Sequence, residues 1–264
     1  MSLRKSLLDI DLVEVSQRLK SFIREEVKKT GVEGVVVGLS GGVDSSTVTY
    51  LCAEALGPEK VLGFIMPDKR ITPKEDAEDA KLVAKKLGIE YKIIEISQIC
   101  DAIISASPGK KDRTAEGNVR ARVRMVFLYH VANRSRRLVI GSGDRSELLI
   151  GYYTKYGDGG VDLLPLGGLF KTQVRELAKF LGVPQKIATK PSSPRLWAGH
   201  TVEAELGMSY DVIDPILHGL VDLGMTEQKM AKELGIPLDM VKKVRAMMKR
   251  TEHKRQLPPI ANIC

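Results

Sequence analysis

Four short runs rich in apolar and β-branched residues lie at 32–39 (VEGVVVGL), 60–67 (KVLGFIMP), 90–96 (EYKIIEI) and 136–143 (RRLVIGSG), separated by stretches of helical pattern. This alternation constrains the fold more than any other feature. The first run is apolar on both faces, as a strand covered on both sides must be. The spacers 45–57, 73–88 and 117–134 are long enough for crossover helices, and Gly57 and Gly88 end the first two. Parallel strands need such crossovers. The expected fold is therefore α/β, a doubly wound parallel sheet with flanking helices. Ligands in such sheets sit beyond the carboxyl ends of the strands. Ser40, Pro67 and Gly141, at the tails of the first, second and fourth runs, should then face one pocket.

The strand runs stop after about residue 170. Residues 171–182 and everything beyond 209 read as helical, and 189–207 reads as a connection of the kind that often forms a lid. The expected organisation is one domain over 1–264. It comprises an α/β core (1–208) with a lid at about 190–206, and a C-terminal helical extension (209–264). A chain of 264 residues, 43% hydrophobic, can bury one substantial core. No run of about twenty apolar residues exists to span a membrane. Asp9, Asp11 and Glu14 interrupt the N-terminal apolar stretch, which excludes a signal-peptide core. Cys52, Cys100 and Cys264 are too scattered to suggest a disulfide framework or a zinc site. A cytoplasmic location is expected. The net charge of +8 favours anionic ligands, either nucleic acid or a phosphate-rich small molecule, unless it merely solvates the surface.

The stretch VVVGLSGGVDSS, residues 35–46, runs from strand to helix through a glycine- and serine-rich turn. Such a turn offers backbone N–H groups to an anion. It is no ordinary P-loop, since Val43 and Asp44 stand where the second glycine and the lysine would be. A carboxylate in a phosphate cradle implies a divalent cation shared between them, so Asp44 points to Mg²⁺. The bland alternative is a simple helix cap.

The string SGGVDS resembles the pyrophosphate loop of the ATP pyrophosphatases, adenylating enzymes that release pyrophosphate from ATP. Three further stretches, 117–125 (GNVRARVRM), 141–171 (GSGDRSELLIGYYTKYGDGGVDLLPLGGLFK) and 251–259 (TEHKRQLPP), join 191–214 in resembling ammonia-dependent NAD synthetases along nearly the whole chain. The resemblance implies amidation of deamido-NAD by ammonia, with ATP as co-substrate and Mg²⁺ as cofactor. It assigns ATP to Gly38, Leu39, Ser40, Gly41, Gly42, Val43, Asp44, Ser45, Ser142, Lys171 and Ser193. It assigns the metal to Asp44 and Glu147, and deamido-NAD to Arg122, Lys155, Asp162, His253 and Lys254. It also implies a homodimer, with the helix 118–133 as an interface element, and free ammonia or a separate glutaminase as nitrogen source.

The residues themselves agree in part. Lys171 at a helix start opposes the helix dipole unless an anion neutralises it. Arg120, Arg122 and Arg124, spaced by two, cannot all point one way on a helix. Some should reach ligand, and the rest should lie on the surface or at a subunit contact. Ammonia is mostly protonated at neutral pH, so a carboxylate must accept its proton, and Asp158 is the candidate. The chain departs from the family in its lid, which reads GHTVE with His200 and Val202 where G-Q-T-D-E is frequent, and in Ser142 where a threonine is usual. Two rivals stand beside this reading. A tRNA-thiolating enzyme would need a well-placed cysteine, whereas Cys52 falls on an apolar helix face. A DNA-binding regulator would use 225–250, which has a helix-turn-helix pattern.

Overall fold

The computed structural model of the protein describes residues 3–193, 195–197, 199–261 and 263. The expectation attached to Cys264 lies outside them. In chain order the elements are α1 (Leu3–Leu8), α2 (Leu12–Thr30), β1 (Gly34–Gly38), α3 (Val43–Leu56), β2 (Val61–Ile65) and α4 (Lys74–Leu87). Then come β3 (Glu90–Ile93), α5 (Ser97–Ala106), α6 (Arg113–Arg134), β4 (Arg137–Ile140) and α7 (Arg145–Ile150). The rest is helical: α8 (Lys171–Phe180), α9 (Gln185–Ala188), α10 (Val202–Leu206), α11 (Tyr210–Leu217), α12 (Glu227–Leu234) and α13 (Leu238–Arg250).

All four strands pair in parallel in the order β3-β2-β1-β4. The chain builds outward from β1 to β3, then crosses back to lay β4 on the other side of β1. That reversal makes the gap between the ends of β1 and β4 a topological switch point, where open α/β sheets bind ligands. Successive side chains of a strand alternate between faces. Val35 and Val37 pack with Ile23, Leu51 and Leu177 from α2, α3 and α8, while Val36 packs with Cys100, Val123 and Leu128 from α5 and α6. Both faces are covered, as expected for a doubly wound sheet.

A third apolar cluster lies beyond the sheet. Ile213, Ile216, Val241 and Val244 of α11 and α13 meet Leu3 and Leu7 of α1, Ile150 of α7 and Phe170. The basic helix of the helix-turn-helix pattern is therefore packed along this core through Val241, Val244 and Met247.

Several boundaries differ from those read in the sequence. Helix α6 starts at Arg113 rather than Gly117, because Asp112 caps it by accepting from Ala115 N at 2.6 Å. Helix α5 was not anticipated. The connection 189–207 is not wholly irregular, since α10 forms there under a Thr201 cap. Among the described residues no helix is long and apolar enough to cross a membrane.

Candidate active site

The loop after β1 is braced by its own hydroxyls. The Ser40 and Ser45 side chains meet at 2.9 Å, Ser40 N donates to Ser45 Oγ, and Ser46 Oγ donates to Gly42 O at 2.7 Å. Gly42 stands at the N-cap of α3 and has no side chain to satisfy the first amides of the helix. Those donors remain available to an anion. Gly41 has φ +78°, and a Cβ there would press on the Asp76 carbonyl, so the loop rests on the first turn of α4.

The loop after β4 supplies the other half. Asp144 caps α7 by accepting from Glu147 N at 2.8 Å, and the Glu147 side chain reaches back to Asp144 N. This capping box fixes both carboxylates at the strand's carboxyl end. Lys171, the first residue of α8, then enters between the two loops. Its Nζ lies 2.6 Å from Asp44, 2.8 Å from Asp144 and 3.0 Å from Glu147, and the side chain is fully buried. The anion that neutralises this misplaced lysine is thus the protein's own set of three carboxylates.

One ammonium among three carboxylates leaves an excess of negative charge. Burial, reinforced by Asp144 and Asp44, raises the Glu147 carboxyl well above its ordinary range. Burial likewise raises Asp144. For Lys171 burial alone would lower the pKa, and Asp144, Asp44 and Glu147 more than reverse it. Oδ1 of Asp44 is buried without a hydrogen-bond partner. A hard divalent cation bound by one or two carboxylates and by phosphate oxygens suits this donor set and this charge. Among the described residues no three ligand side chains already converge on a metal position, so such an ion would depend on its substrate oxygens.

The start of α8 has an unusual support. Phe170 occupies its N-cap and offers no acceptor. Instead Lys171 N donates to Ser146 Oγ at 2.9 Å and Thr172 N to Asp214 at 2.8 Å. Asp214 is fully buried, and burial pushes its carboxyl up to about 7.

Four of the five residues expected at the second substrate come together. Arg122 donates to Lys155 O at 3.3 Å, Lys155 Nζ to His253 O at 2.8 Å, and Lys254 Nζ to the carbonyls of Gly151 and Tyr153, both at 2.6 Å. Arg255 adds bonds to the carbonyls of Leu148 and Leu149. These two cations cover the exposed carbonyls at and just beyond the C-terminal end of α7, the negative end of its dipole. Asp162 is engaged with the sheet instead, accepting from Val139 N at 2.7 Å and Tyr129 OH at 3.0 Å. Asp158 accepts from Thr154 N at 2.9 Å in an exposed turn where Tyr156 has φ +60°. A positive φ at a bulky residue is a strained geometry that clusters at functional sites.

The expectation for the arginines fails in one respect. Arg120 is buried and Arg124 half-buried, and both turn inward rather than lying free on the surface. Arg120 Nε donates to Asp68 at 2.9 Å and Arg124 Nε to Met66 O at 3.0 Å, both facing the sheet. Asp68 follows Pro67 at the end of β2 and is fully buried. Burial would raise its carboxyl, but hydrogen bonds from Arg70, Arg120 and Ser97 hold it well below the usual range.

The lid folds back over α4. Lys190 pairs with Asp76 and Asp79, both at 2.7 Å, and Arg195 with Asp76 at 2.7 Å. Ser193 Oγ bonds to His200 O and also accepts from Arg195 N at 3.3 Å. His200 stacks on Trp197 at 3.5 Å and contacts Tyr152 OH and Glu205. A cavity of about 480 Å³, lined by Glu75, Lys190, Ser193 and Arg195, opens beside the lid; none of the three carboxylates lines it. Ser142 sits between β4 and α7, half-buried. Cys52 is completely buried and its thiol is pushed up to about 12, so it cannot serve as the thiolate a thiolating enzyme needs.

Asp68, Asp144 and Asp214 were not singled out from sequence. Only Asp144 carried a local signal, the D-x-x-E capping box at 144–147.

Comparison with known proteins agrees with this geometry. A family model described as NAD synthase matches residues 15–258. An ammonia-dependent NAD synthetase of Hyperthermus butylicus is 54% identical over 253 residues, covering 96% of this chain and 92% of the relative. The solved structure of an NMN synthetase from Francisella tularensis superposes with a TM-score of 0.86 at 33% identity, covering 97% of this chain and all of that one. An ammonia-dependent NAD synthetase from Campylobacter jejuni gives 0.82 at 34% identity, covering 96% and 100%. A sheet with its switch point between β1 and β4, a loop carrying Asp44 beside Lys171, and a family match across nearly the whole chain agree: the chain belongs to the NAD synthase family.

Proposed function

We propose that this chain amidates deamido-NAD with ammonia, consuming ATP and releasing AMP and pyrophosphate. The observation that carries the reading is the buried Lys171 ammonium held by Asp44, Asp144 and Glu147 between the two loops of the switch point. In the first step the nicotinate carboxylate attacks the α-phosphorus and the bond to pyrophosphate breaks. Lys171, the free amides at the start of α3 and the Ser40 and Ser45 hydroxyls stabilise the charge that develops on the leaving group. Gly38, Leu39 and Val43 shape that loop, and Ser142 and Ser193 contact the rest of the ATP. Asp44 and Glu147 are the residues that would hold Mg²⁺, which supplies electrostatic neutralisation of phosphate oxygens. No side-chain nucleophile is required, because positioning and charge dominate. In the second step ammonia attacks the acyl carbon and AMP leaves, with Asp158 accepting a proton from ammonium. Arg122, Lys155, His253 and Lys254 seat the anionic substrate, and Asp162, held against the sheet by Val139 N and Tyr129 OH, is the fifth residue of that set. The lid excludes water from the acyl-adenylate. The enzyme works as a cytoplasmic homodimer through α6, where Val126 is 59% exposed, and takes ammonia free or from a separate glutaminase.

The test is AMP and pyrophosphate release from MgATP with deamido-NAD, with and without ammonium, on the wild type and Asp44→Asn. Both products should require deamido-NAD, NAD should form on adding ammonium, and the variant should be inactive. The likeness to an NMN synthetase raises a second acceptor, nicotinate mononucleotide, which is run in parallel. Equal or faster turnover of the mononucleotide would replace the dinucleotide in this reading.

A further inference from the structure

The amide groups that open a helix need acceptors, and a side chain at the N-cap ordinarily provides one. Helix α8 begins without one, since Phe170 cannot accept. Its first turn is satisfied from elsewhere. Phe170 N donates to Gln173 Oε1 within the turn, and Lys171 N to Ser146 Oγ of α7. Thr172 donates through both its amide (2.8 Å) and its hydroxyl (2.9 Å) to Oδ2 of Asp214. The second carboxylate oxygen of Asp214 accepts from Ser146 Oγ at 2.6 Å. One buried carboxylate on α11, in the C-terminal extension, therefore joins the residue beside Lys171 to the residue beside Glu147.

We propose that Asp214 is a positioning residue for the adenylation step. It caps α8 from another helix and locks α8 to α7, and this lock fixes the point at which Lys171 Nζ meets Asp44 and Glu147. Among the described residues Asp214 forms no hydrogen bond or ion pair with the three carboxylates or the loop after β1; its hydrogen bonds go to Ser146 and Thr172. The proposal rests on the reading of Lys171 as the group that stabilises pyrophosphate. A carboxylate is needed because three donors converge on it, two at one oxygen and one at the other. Asparagine keeps the shape but offers one acceptor oxygen in place of two, and alanine offers none.

The experiment compares Asp214→Ala, Asp214→Asn, Lys171→Met and a control, Ile213→Val, which thins the same buried face of α11 without touching a polar partner. Pyrophosphate release is measured against MgATP and deamido-NAD, with the folded fraction taken from near-ultraviolet circular dichroism. Displacement of a reacting group by about 1 Å costs on the order of 10²-fold. Asp214→Ala should lose ten- to hundred-fold in kcat per folded molecule with the KM for deamido-NAD unchanged, and Asp214→Asn should fall between it and the wild type. Ile213→Val should keep wild-type kcat. If Asp214→Ala does not fold, the Asn variant carries the same readout. An Asn variant whose kcat per folded molecule matches that of Ile213→Val would overturn the proposal. A Lys171→Met variant that still releases pyrophosphate would instead overturn the reading of Lys171 on which it stands.

Discussion

Substituting Gly41 by alanine separates two costs that usually come together. At Gly41 φ is +78°, and a Cβ would meet the carbonyl oxygen of Asp76 and sit 2.9 Å from its carbon. At Gly31 φ is +67°, and a Cβ would meet nothing within 4 Å. Both substitutions force an L-residue into the left-handed region, which costs about 1–2 kcal/mol. Only Gly41→Ala also drives two backbone segments apart, and overpacking of that kind costs roughly 1–3 kcal/mol more. In a chain of this size 1 kcal/mol lowers Tm by about 2–4 °C. Gly31→Ala should therefore lose a few degrees and keep full activity. Gly41→Ala should lose about twice as much or more. It should also lose on the order of 10²-fold in kcat/KM for MgATP, because carbon atoms at optimal contact lie about 3.5–4.0 Å apart and the loop must shift by roughly 1 Å. Thermal melts followed by circular dichroism and a pyrophosphate-release assay measure both. If the two variants melt together and both keep wild-type activity, the loop does not lean on α4 as described.

Two further outcomes follow from buried side chains. The Asp68 carboxyl is depressed in the folded protein, so its contribution is fully present above the unfolded value of about 3.9 and is lost as pH falls below it. Asp68→Asn strands Arg120 without its partner and should cost about 3–5 kcal/mol at pH 7, with the gap to wild type closing toward pH 3 in urea titrations; a gap independent of pH would disprove the ion-pair account. Trp197 is the chain's one tryptophan and lies against His200, whose imidazole burial holds below its usual range, so the ring is uncharged at neutral pH. Its emission should be flat between pH 7 and 8, rise in His200→Ala, and change when MgATP and deamido-NAD bind together; superimposable wild-type and variant spectra would refute the stack.

The parts of the fold visible in the sequence are those whose cause is local. β1 announces itself through three consecutive valines and the glycine-serine turn behind it, and Gly88 marks the end of α4 because it takes φ +69° there. Gly117 misled by looking like a helix start. It lies inside α6 because a Cβ would come within 2.9 Å of Leu196, so its reason is the close approach of the lid. Asp44 stands out as an acid inside a phosphate-type loop, Lys171 as a cation at a helix start, and Glu147 through a family pattern. The partners that hold them do not, because their bonds join residues far apart in sequence: Ser146 and Asp214 are separated by 68 positions. Nothing near residue 214 in the sequence marks it as the cap of a helix that begins at residue 171.

The clasp of Lys254 and Arg255 on the carbonyls at the end of α7 also orders events in time. Their bonds close spans of 103 and 107 residues. Contacts across such spans can form only after their later partner has left the ribosome, and their closure entropy is among the larger ones in the chain. A growing polypeptide can thus finish its sheet, its nucleotide loop and the capping box of α7 while the end of that helix is still open. The clasp is then the last of these features to close, and a chain cut shortly before residues 254 and 255 should keep its sheet and its first loop while the carbonyls at the end of α7 stay open to solvent.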